Sequence, residues 1–273
     1  MRMRSLLPAL AVAASLTSFA GPASAVVGGQ PAPQGKYPQV AEVILGQAFL
    51  CTGTLIAPTW VLTAGHCGSL TAAATEGVVS SPAAWPGPLI DVYLGSNKDL
   101  QGTRMAVSRV IVEPKYLATD GHDITLLQLT LPSAVTPTRV AGPVTERSLW
   151  TPGTLETIVG WGTTSEGASN TPDTIQEAQV PITTDVYCGA AYSSFEALTM
   201  VCAGYDAGGT DTCQGDSGGP LFGKTATGAL KVVGATSFGN GCARPHQPGV
   251  YARVADTELH DWIGSIVPAG VDP

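Results

Sequence analysis

Short stretches of apolar and β-branched residues recur along the chain, and Gly, Pro, Ser and Thr separate them. Runs of this length and composition are typical of β-strands. They divide evenly between the first and second parts of the chain, which predicts an all-β barrel or sandwich with two similar halves. The predicted strands are 40–45, 49–56, 60–64, 91–95, 105–113, 123–130, 155–161, 175–182, 200–204, 219–223, 230–238 and 249–254.

Three other segments interrupt this pattern. The proline-containing stretch 131–152 predicts the crossover between the halves, and the alanine-rich stretch 68–88 predicts a surface loop. Near the end of the chain, apolar residues return at helical spacing behind Asp256 and Thr257, which predicts a capped terminal helix on the second half. These apolar residues are Leu259, Trp262, Ile263 and Ile266.

The beginning of the chain predicts export. Of the 273 residues, 44% are hydrophobic and 12% charged, as in globular proteins. Arg2 and Arg4 precede an apolar run over 6–20, and small residues end at Ala25. This order is that of a secretory signal, and the run is too short to span a membrane. We therefore expect residues 1–25 to be removed and 26–273 to be an extracellular, secreted protein.

The charge of the chain narrows the classes of partner. Residues 1–25 hold two arginines and no acidic residue, so their removal moves the formal net charge from −8 to −10. An acidic surface without a basic patch argues against nucleic acid and against anionic membranes as partners.

The six cysteines predict three disulfides, because the number is even and the expected compartment is oxidising. The residues alone leave the pairing open. A metal site at Cys51, His66 and Cys67 is the alternative, but there is no closely spaced Cys-x-x-Cys pair and the other cysteines lie far along the chain. We predict no metal and no cofactor.

A glycine-rich stretch at residues 211–220, Asp-Thr-Cys-Gln-Gly-Asp-Ser-Gly-Gly-Pro, holds the candidate nucleophile. Ser217 lies between Gly215 and Gly219, which let the backbone turn tightly and a substrate carbonyl approach. A serine hydroxyl attacks a carbonyl only when a base takes its proton and donors stabilise the oxyanion. Without such partners the stretch would be an ordinary turn.

Two residues earlier in the chain can supply the base. His66 follows a predicted strand and precedes Cys67, which can hold it in place. Asp123 stands at the head of another predicted strand, where a buried carboxylate needs a donor such as an imidazole N–H. The order His, Asp, Ser argues against a lipase or esterase nucleophile elbow, in which serine comes first and a helix follows it.

Motifs along the whole mature chain resemble, in order, the landmarks of the chymotrypsin-like serine endopeptidases of the trypsin family. The resemblance is greatest to secreted bacterial trypsins with three disulfides. The motifs are Val26-Val-Gly-Gly29, Leu62-Thr-Ala-Gly-His-Cys67, Asp123-Ile-Thr-Leu-Leu127, Gly160-Trp-Gly162, Gly215-Asp-Ser-Gly-Gly-Pro220, Ser237-Phe-Gly239 and Pro248-Gly-Val-Tyr251.

The resemblance implies two six-stranded antiparallel β-barrels with the active site in the cleft between them. The first barrel would cover about 26–140 and the second, with the terminal helix, about 141–273. His66 would be the general base, Asp123 its orienting carboxylate and Ser217 the nucleophile that forms an acyl-enzyme. The N–H groups of Gly215 and Ser217 would form the oxyanion hole.

The resemblance also implies a specificity for Arg or Lys. Asp211 matches the floor of the family's primary pocket, where a carboxylate is costly unless a cation arrives. Gly239 and Gly249 match its walls, and Ser237 the serine that supports Asp123 and lines the substrate channel. The alternative is that Asp211 only caps a turn. The disulfides implied are Cys51 with Cys67, Cys188 with Cys202, and Cys213 with Cys242.

Activation in the family requires a freed N-terminal ammonium that pairs with the aspartate before the nucleophile. Val26 and Asp216 match this pair. No Arg or Lys precedes Val26, and Ala25 ends a site suited to signal peptidase. We therefore hypothesise that export itself produces the active N-terminus. Cleavage after Ala20 would instead leave a propeptide of residues 21–25.

Several departures from the family pattern concern packing and loops. Gly65 and Phe238 stand where Ala and Trp are commoner, which should keep the chemistry and alter local packing. The segment after Cys67 is long, which predicts an enlarged loop beside the cleft. Residues 95–104 are short and lack the paired glutamates of the animal calcium loop, so we predict no calcium site there.

We expect a monomeric enzyme whose partners are protein or peptide substrates and protein protease inhibitors. A catalytically inactive binding homologue or a secreted lectin would be the non-enzymatic alternative. Neither explains why the three catalytic residues, the pocket aspartate and the N-terminal valine match together.

Overall fold

Two antiparallel β-sheets and three α-helices make up the part of the chain that the computed structural model describes, residues 26–46, 49–69, 79–80, 90–116 and 119–273. The predicted signal, 1–25, and most of the predicted loop 68–88 lie outside these residues. The elements are β1 Gln30–Pro31, β2 Val40–Leu45, β3 Phe49–Ala57, β4 Trp60–Thr63, α1 Gly65–Ser69, β5 Val79–Ser80, β6 Ile90–Leu94, β7 Thr103–Val112, β8 Thr125–Leu129, β9 Leu155–Gly160, β10 Gln176–Pro181, α2 Asp185–Ala191, β11 Met200–Ala203, β12 Pro220–Lys224, β13 Leu230–Phe238, β14 Gly249–Ala252 and α3 Thr257–Ile266.

The first sheet closes into a six-stranded barrel. Its strand order is β7-β6-β2-β3-β4-β8, and β7 also pairs with β8, so that neither strand is left as an open edge. The short strand β5 pairs with β7 outside this ring.

The second sheet has the order β1-β10-β9-β12-β13-β14-β11. The end of β10 also meets the end of β11, because the Gly204 N–H donates to the Pro181 carbonyl and the Thr183 N–H to the Cys202 carbonyl, each over 2.9 Å. The all-β fold with two sheets and a C-terminal helix confirms the predicted fold class. The domain division near residue 140 stays a prediction, and β1 pairs with the second sheet although it precedes that point.

An apolar core joins the two sheets. Ile56 and Leu126 of the first sheet pack in one buried cluster with Phe222 and Val232 of the second. The terminal helix α3 contributes Leu259 and Ile263 to this same cluster, so it packs on a core shared by both sheets and not on the second half alone. Asp256 caps α3 by accepting a hydrogen bond from the Thr257 N–H.

Three disulfides tie loops and helices to the sheets, in the pairing that the resemblance implies. Cys51 of β3 pairs with Cys67 of α1, and Cys188 of α2 with Cys202 of β11. The third bond joins Cys213 and Cys242, which lie in the loops before β12 and before β14.

Candidate active site

His66 and Asp123 lie against each other. His66 Nδ1 is 2.9 Å from Asp123 Oδ2, and the His66 backbone N–H donates to Oδ1 over 2.8 Å. His66 sits in α1 directly after β4, and the disulfide of the next residue fixes this helix to β3. Because Nδ1 faces the carboxylate, Nε2 is the ring nitrogen left for proton transfer.

Asp123 is buried, and three donors contact its carboxylate. Besides the two His66 groups, the Ser237 hydroxyl donates to Oδ2 over 2.5 Å. The backbone of Asp123 has φ −76° and ψ 64°, and the Ile124 N–H donates to the His122 carbonyl over 2.8 Å. This is an inverse γ-turn, which lies directly before β8.

Ser217 lies in the loop before β12, clamped by backbone hydrogen bonds. Its carbonyl accepts from the Thr52 N–H over 2.8 Å and lies 3.9 Å from Cys67 Sγ, next to His66. Gly218 follows with φ +79°, and an added Cβ there would lie 2.1 Å from Thr63 Oγ1. The glycine is therefore required both by the left-handed conformation and by the close approach of β4.

The loop leaves two donors unused. Among the residues that the structure describes, neither the Gly215 N–H nor the Ser217 N–H donates to another protein group. The peptide group that follows Gly215 is held in place, because Thr52 Oγ1 donates to the Gly215 carbonyl over 2.9 Å.

A cavity of about 210 Å³ opens beside Ser217. Asp211 lies in its wall at 3% exposure and accepts hydrogen bonds from the Thr212 N–H (2.8 Å) and the Ala243 N–H (3.0 Å). Burial nevertheless raises the pKa of Asp211 to about 6. The lining of this cavity also includes Ser237, Gly239, Gly241 and Gly249. A larger cavity, of about 420 Å³ beside Lys36 and Glu177, contains none of the predicted site residues.

Gly249 keeps this cavity open towards Asp211. A Cβ at position 249 would lie 2.5 Å from Asp211 Oδ1, whereas one at Gly239 would lie 3.2 Å from the Gly241 carbonyl oxygen. The cavity thus brings together Ser217, Ser237 and Asp211, which the sequence places far apart.

Asp216 and Val26 are both completely buried. Asp216 Oδ1 accepts from the Gly162 N–H and Oδ2 from the Cys213 N–H, each over 2.8 Å. Burial outweighs these two donors and raises the pKa of Asp216 from 3.8 to about 7. Nearby, the Asp211 N–H donates to the Val27 carbonyl over 3.1 Å, which ties the segment after Val26 to the pocket loop.

The alternative of a metal site at Cys51, His66 and Cys67 is excluded by the chemistry of these residues. Cys51 and Cys67 lie within 4.8 Å of a ring nitrogen of His66, but both sulfurs are consumed in a disulfide. A disulfide offers no thiolate ligand, so His66 remains as the single donor of this group.

The comparisons with known proteins agree with this geometry. The family model described as Trypsin matches residues 26–263. The chain is 40% identical to "Trypsin" of Saccharopolyspora erythraea, over 84% of this chain and 93% of that protein. It is 35% identical to "Trypsin 5G1" of Aedes aegypti, over 88% of this chain and 84% of that protein. It is 38% identical to "Serine protease 56" of Homo sapiens, over 87% of this chain and 38% of that protein.

The chain belongs to the trypsin family. It is therefore a serine endopeptidase, a hydrolase whose substrates are proteins. The glycine at residue 65, where alanine is commoner in the trypsin family, is explained by its neighbours in this chain. A Cβ at residue 65 would lie 2.8 Å from the Tyr116 ring and 2.9 Å from Asp123 Oδ1.

Phe238 is the second departure from the trypsin family pattern, and it packs beside the pocket. Its ring contacts Tyr192 edge to face, with centroids 5.6 Å apart. The Tyr192 hydroxyl donates to the Pro248 carbonyl over 2.8 Å, next to Gly249. Phe238 thus supports the pocket through Tyr192.

Sequence reasoning missed several residues that hold the site together. Thr52 bridges the sheets, since it donates to Gly215 and its Oγ1 accepts from the Trp161 N–H over 3.2 Å. Tyr116 and Asp123 both lie against Gly65, and burial, with a smaller contribution from the Asp123 charge, raises the pKa of Tyr116. Neither position carries a local signal, because each contact joins residues far apart in the chain.

Proposed function

We propose that this serine endopeptidase is secreted and cleaves peptide bonds after Arg or Lys, with His66, Asp123 and Ser217 as its catalytic residues. The proposed specificity rests on the position of Asp211 in the wall of the cavity that reaches Ser217. The Asp211 side chain is buried, so its negative charge is costly when the cavity is empty. A guanidinium or ammonium entering the cavity would offset this cost.

The catalytic steps follow the mechanism of the family. Ser217 Oγ forms a bond to the substrate carbonyl carbon as His66 Nε2 takes its proton. The carbonyl becomes an oxyanion, which the N–H groups of Gly215 and Ser217 stabilise. His66 then gives the proton to the leaving amine as the peptide bond breaks, and an acyl-enzyme remains. Water then attacks the acyl carbon as His66 takes its proton. The ester bond to Ser217 Oγ breaks, Oγ takes the proton back from His66, and the acid product leaves.

Asp123 works through His66. Its carboxylate holds the Nδ1 side of the ring at 2.9 Å, which keeps the tautomer that leaves Nε2 free, and it stabilises the imidazolium that forms during attack. Ser237 and the His66 N–H hold the carboxylate in turn.

A panel of chromogenic peptides ending in Arg, Lys, Phe or Ala tests this function. We expect turnover of the Arg and Lys peptides alone, and none from a Ser217→Ala variant. Turnover of the Phe or Ala peptides would keep the endopeptidase and overturn the specificity. Turnover that persists in the Ser217→Ala variant would overturn the assignment of the nucleophile.

Secretion is proposed from the residues before Val26 and from the three disulfides, which form in oxidising compartments. In the described part of the chain, no helix is long and apolar enough to cross a membrane. We also propose a monomer that protein protease inhibitors can block at the same cavity.

Activation is proposed to depend on Val26 and Asp216. As long as residue 25 precedes Val26, no ammonium is available to pair with Asp216, and the pKa of Asp216 stays raised to about 7. Between pH 4 and about 7 the folded state then holds a proton that the unfolded state has released. The free energy of unfolding therefore falls as the pH rises through this range. A freed Val26 ammonium beside Asp216 would supply the missing charge, and such a pair is worth several kcal/mol.

The secreted protein is expected to begin at Val26, and an Asp216→Asn variant to lose about 100-fold in kcat/KM, since the ammonium would lose its partner. N-terminal sequencing and peptide assays measure both. Asp173→Asn, an exposed carboxylate, is the matched control. A start at Gly21 would contradict direct activation by export, and full activity of the Asp216→Asn variant would contradict the pair.

A further inference from the structure

His122, the residue before Asp123, is a buried histidine with both ring nitrogens engaged. It is 5% exposed, its Nδ1 lies 2.8 Å from Thr119 Oγ1 and its Nε2 lies 3.1 Å from Glu258 Oε1. A neutral ring satisfies all three groups at once, with the Thr119 hydroxyl donating to Nδ1 and Nε2–H donating to the carboxylate. No charge needs to be buried on the ring.

Glu258 belongs to the first turn of α3, far from His122 in the chain. Its carboxylate also pairs with the Lys115 ammonium. The hydrogen bond from Lys115, followed by the one from His122, lowers the pKa of Glu258, so the acceptor is a carboxylate at neutral pH. The carboxylate of Glu258 thus joins α3 to the segment between β7 and β8, through its contacts with Lys115 and His122.

A second contact fixes the same segment to the second half of the chain. An added Cβ at Gly121 would lie 2.2 Å from Thr199 Oγ1 and 2.4 Å from Glu196 Oε2. Gly121 therefore fits against the residues before β11 with no room to spare. Residues 121 and 122 dock side by side on elements that come after residue 190.

The backbone transmits this docking to Asp123. The carbonyl of His122 accepts the hydrogen bond that closes the γ-turn, and Asp123 is the central residue of that turn. A shift of the His122 ring would move its carbonyl, and with it the direction of the Asp123 side chain. That side chain holds His66 at 2.9 Å.

We propose that Glu258 and His122 are positioning residues for Asp123, through which the terminal helix fixes the orientation of the catalytic histidine. The proposal rests on the function proposed above for His66, Asp123 and Ser217. Glu258 and His122 act through the γ-turn and need not touch substrate.

The test compares substitutions of Glu258. Glu258→Ala leaves Nε2–H of His122 without its acceptor, and we expect kcat on an Arg anilide to fall about tenfold with KM within about twofold, because the misplacement concerns the catalytic geometry and not the pocket. Glu258→Gln keeps an oxygen that accepts from Nε2–H but removes the charge and the ion pair with Lys115. We expect it to restore most of kcat.

Two controls separate positioning from a general loosening of the helix. Lys115→Gln removes the ion pair of the same carboxylate but keeps its hydrogen bond with His122. Arg147→Gln removes an ion pair of 3.0 Å to Asp256, which also ties α3 to the rest of the protein. Both variants should keep kcat near the wild-type value.

Amide hydrogen exchange supplies a readout that needs no activity. Exchange over residues 119–127 should rise in Glu258→Ala, and stay at the wild-type level in Glu258→Gln and Arg147→Gln. Unchanged kcat and unchanged exchange in Glu258→Ala would overturn the proposal. So would an equal loss in the Ala and Gln variants, or in Arg147→Gln. Absence of turnover in the wild type would refute the proposed function instead, and the exchange data would still decide the positioning role.

Discussion

Replacing Ser217 by Ala is expected to lower kcat on Arg peptides by about a million-fold, and His66→Ala is expected to have an effect of similar size. The double variant should lose little more than either single variant, because in the proposed mechanism Ser217 attacks only when His66 accepts its proton. Groups that act as one unit in this way have strongly non-additive effects. The residual rate would come from substrate binding and from the proposed oxyanion donors, the N–H groups of Gly215 and Ser217, which the substitutions leave in place.

Kinetics of purified, correctly processed variants measure this effect, and labelling by a serine-directed phosphonate gives a second readout. Ser265→Ala, an exposed serine on α3, is the matched control and should keep full activity and labelling. Losses that add in the double variant would mean that His66 and Ser217 do not act together. Labelling that persists in the Ser217→Ala variant would place the nucleophile elsewhere.

The strand pattern was predictable because local chemistry and tertiary pairing agree. Residues 40–45 and 230–238 are apolar and β-branched runs bounded by turn residues, and they form β2 and β13 with the predicted bounds. The helix over 257–266 was predictable from its cap and apolar spacing. Its packing on both sheets was not, because periodicity identifies an apolar face and not the partner that covers it.

The two short helices escaped prediction for different reasons. The helix α1 has five residues, which is too short for a periodic pattern, and the disulfide and Asp123 hold it in place. The helix α2 has a cap that could have been found, since the side chain of Thr184 accepts a hydrogen bond from the Tyr187 N–H. Its seven residues expose Val186 and bury only Cys188, so no apolar face marks it.

Motif positions located the candidate site residues, but the contacts that orient them come from distant parts of the chain. Asp123 was recognisable at the head of a strand, yet its γ-turn and its hydrogen bond from Ser237 depend on the folded backbone. His122 is next to Asp123 in sequence, but its partner Glu258 is 136 residues away. A single sequence carries no signal for such a pair, because neither residue type is unusual at its own position.

Replacing Asp211 by Ser is expected to lower kcat/KM on Arg and Lys peptides by about a thousand-fold, and to raise turnover of peptides with small uncharged residues at the cleavage site. The loss of a buried carboxylate leaves the guanidinium in the cavity without its partner, which costs about 2–5 kcal/mol. The turnover of peptides with small uncharged residues rises because, without Asp211, the cavity no longer holds an uncompensated charge when such a peptide binds. The peptide panel measures both, with Asp173→Ser as a control that removes one exposed carboxylate. Equal losses on all peptides would show a folding defect and contradict the role in specificity.

The pH dependence of cation binding distinguishes a pocket carboxylate from one that only caps a turn. Burial raises the pKa of Asp211 to about 6, so the free cavity holds a carboxylate above pH 6 and a neutral acid below it. The affinity for an arylamidinium should therefore fall as the pH is lowered through about 6, because protonation removes the charge that attracts the cation. Calorimetry with a variant that lacks both Ser217 and His66 measures this, since neither catalysis nor the His66 side chain then contributes. Affinity that stays constant from pH 8 to pH 5 would mean that Asp211 does not meet the cation, and its carboxylate would then serve only its two N–H donors, Thr212 and Ala243.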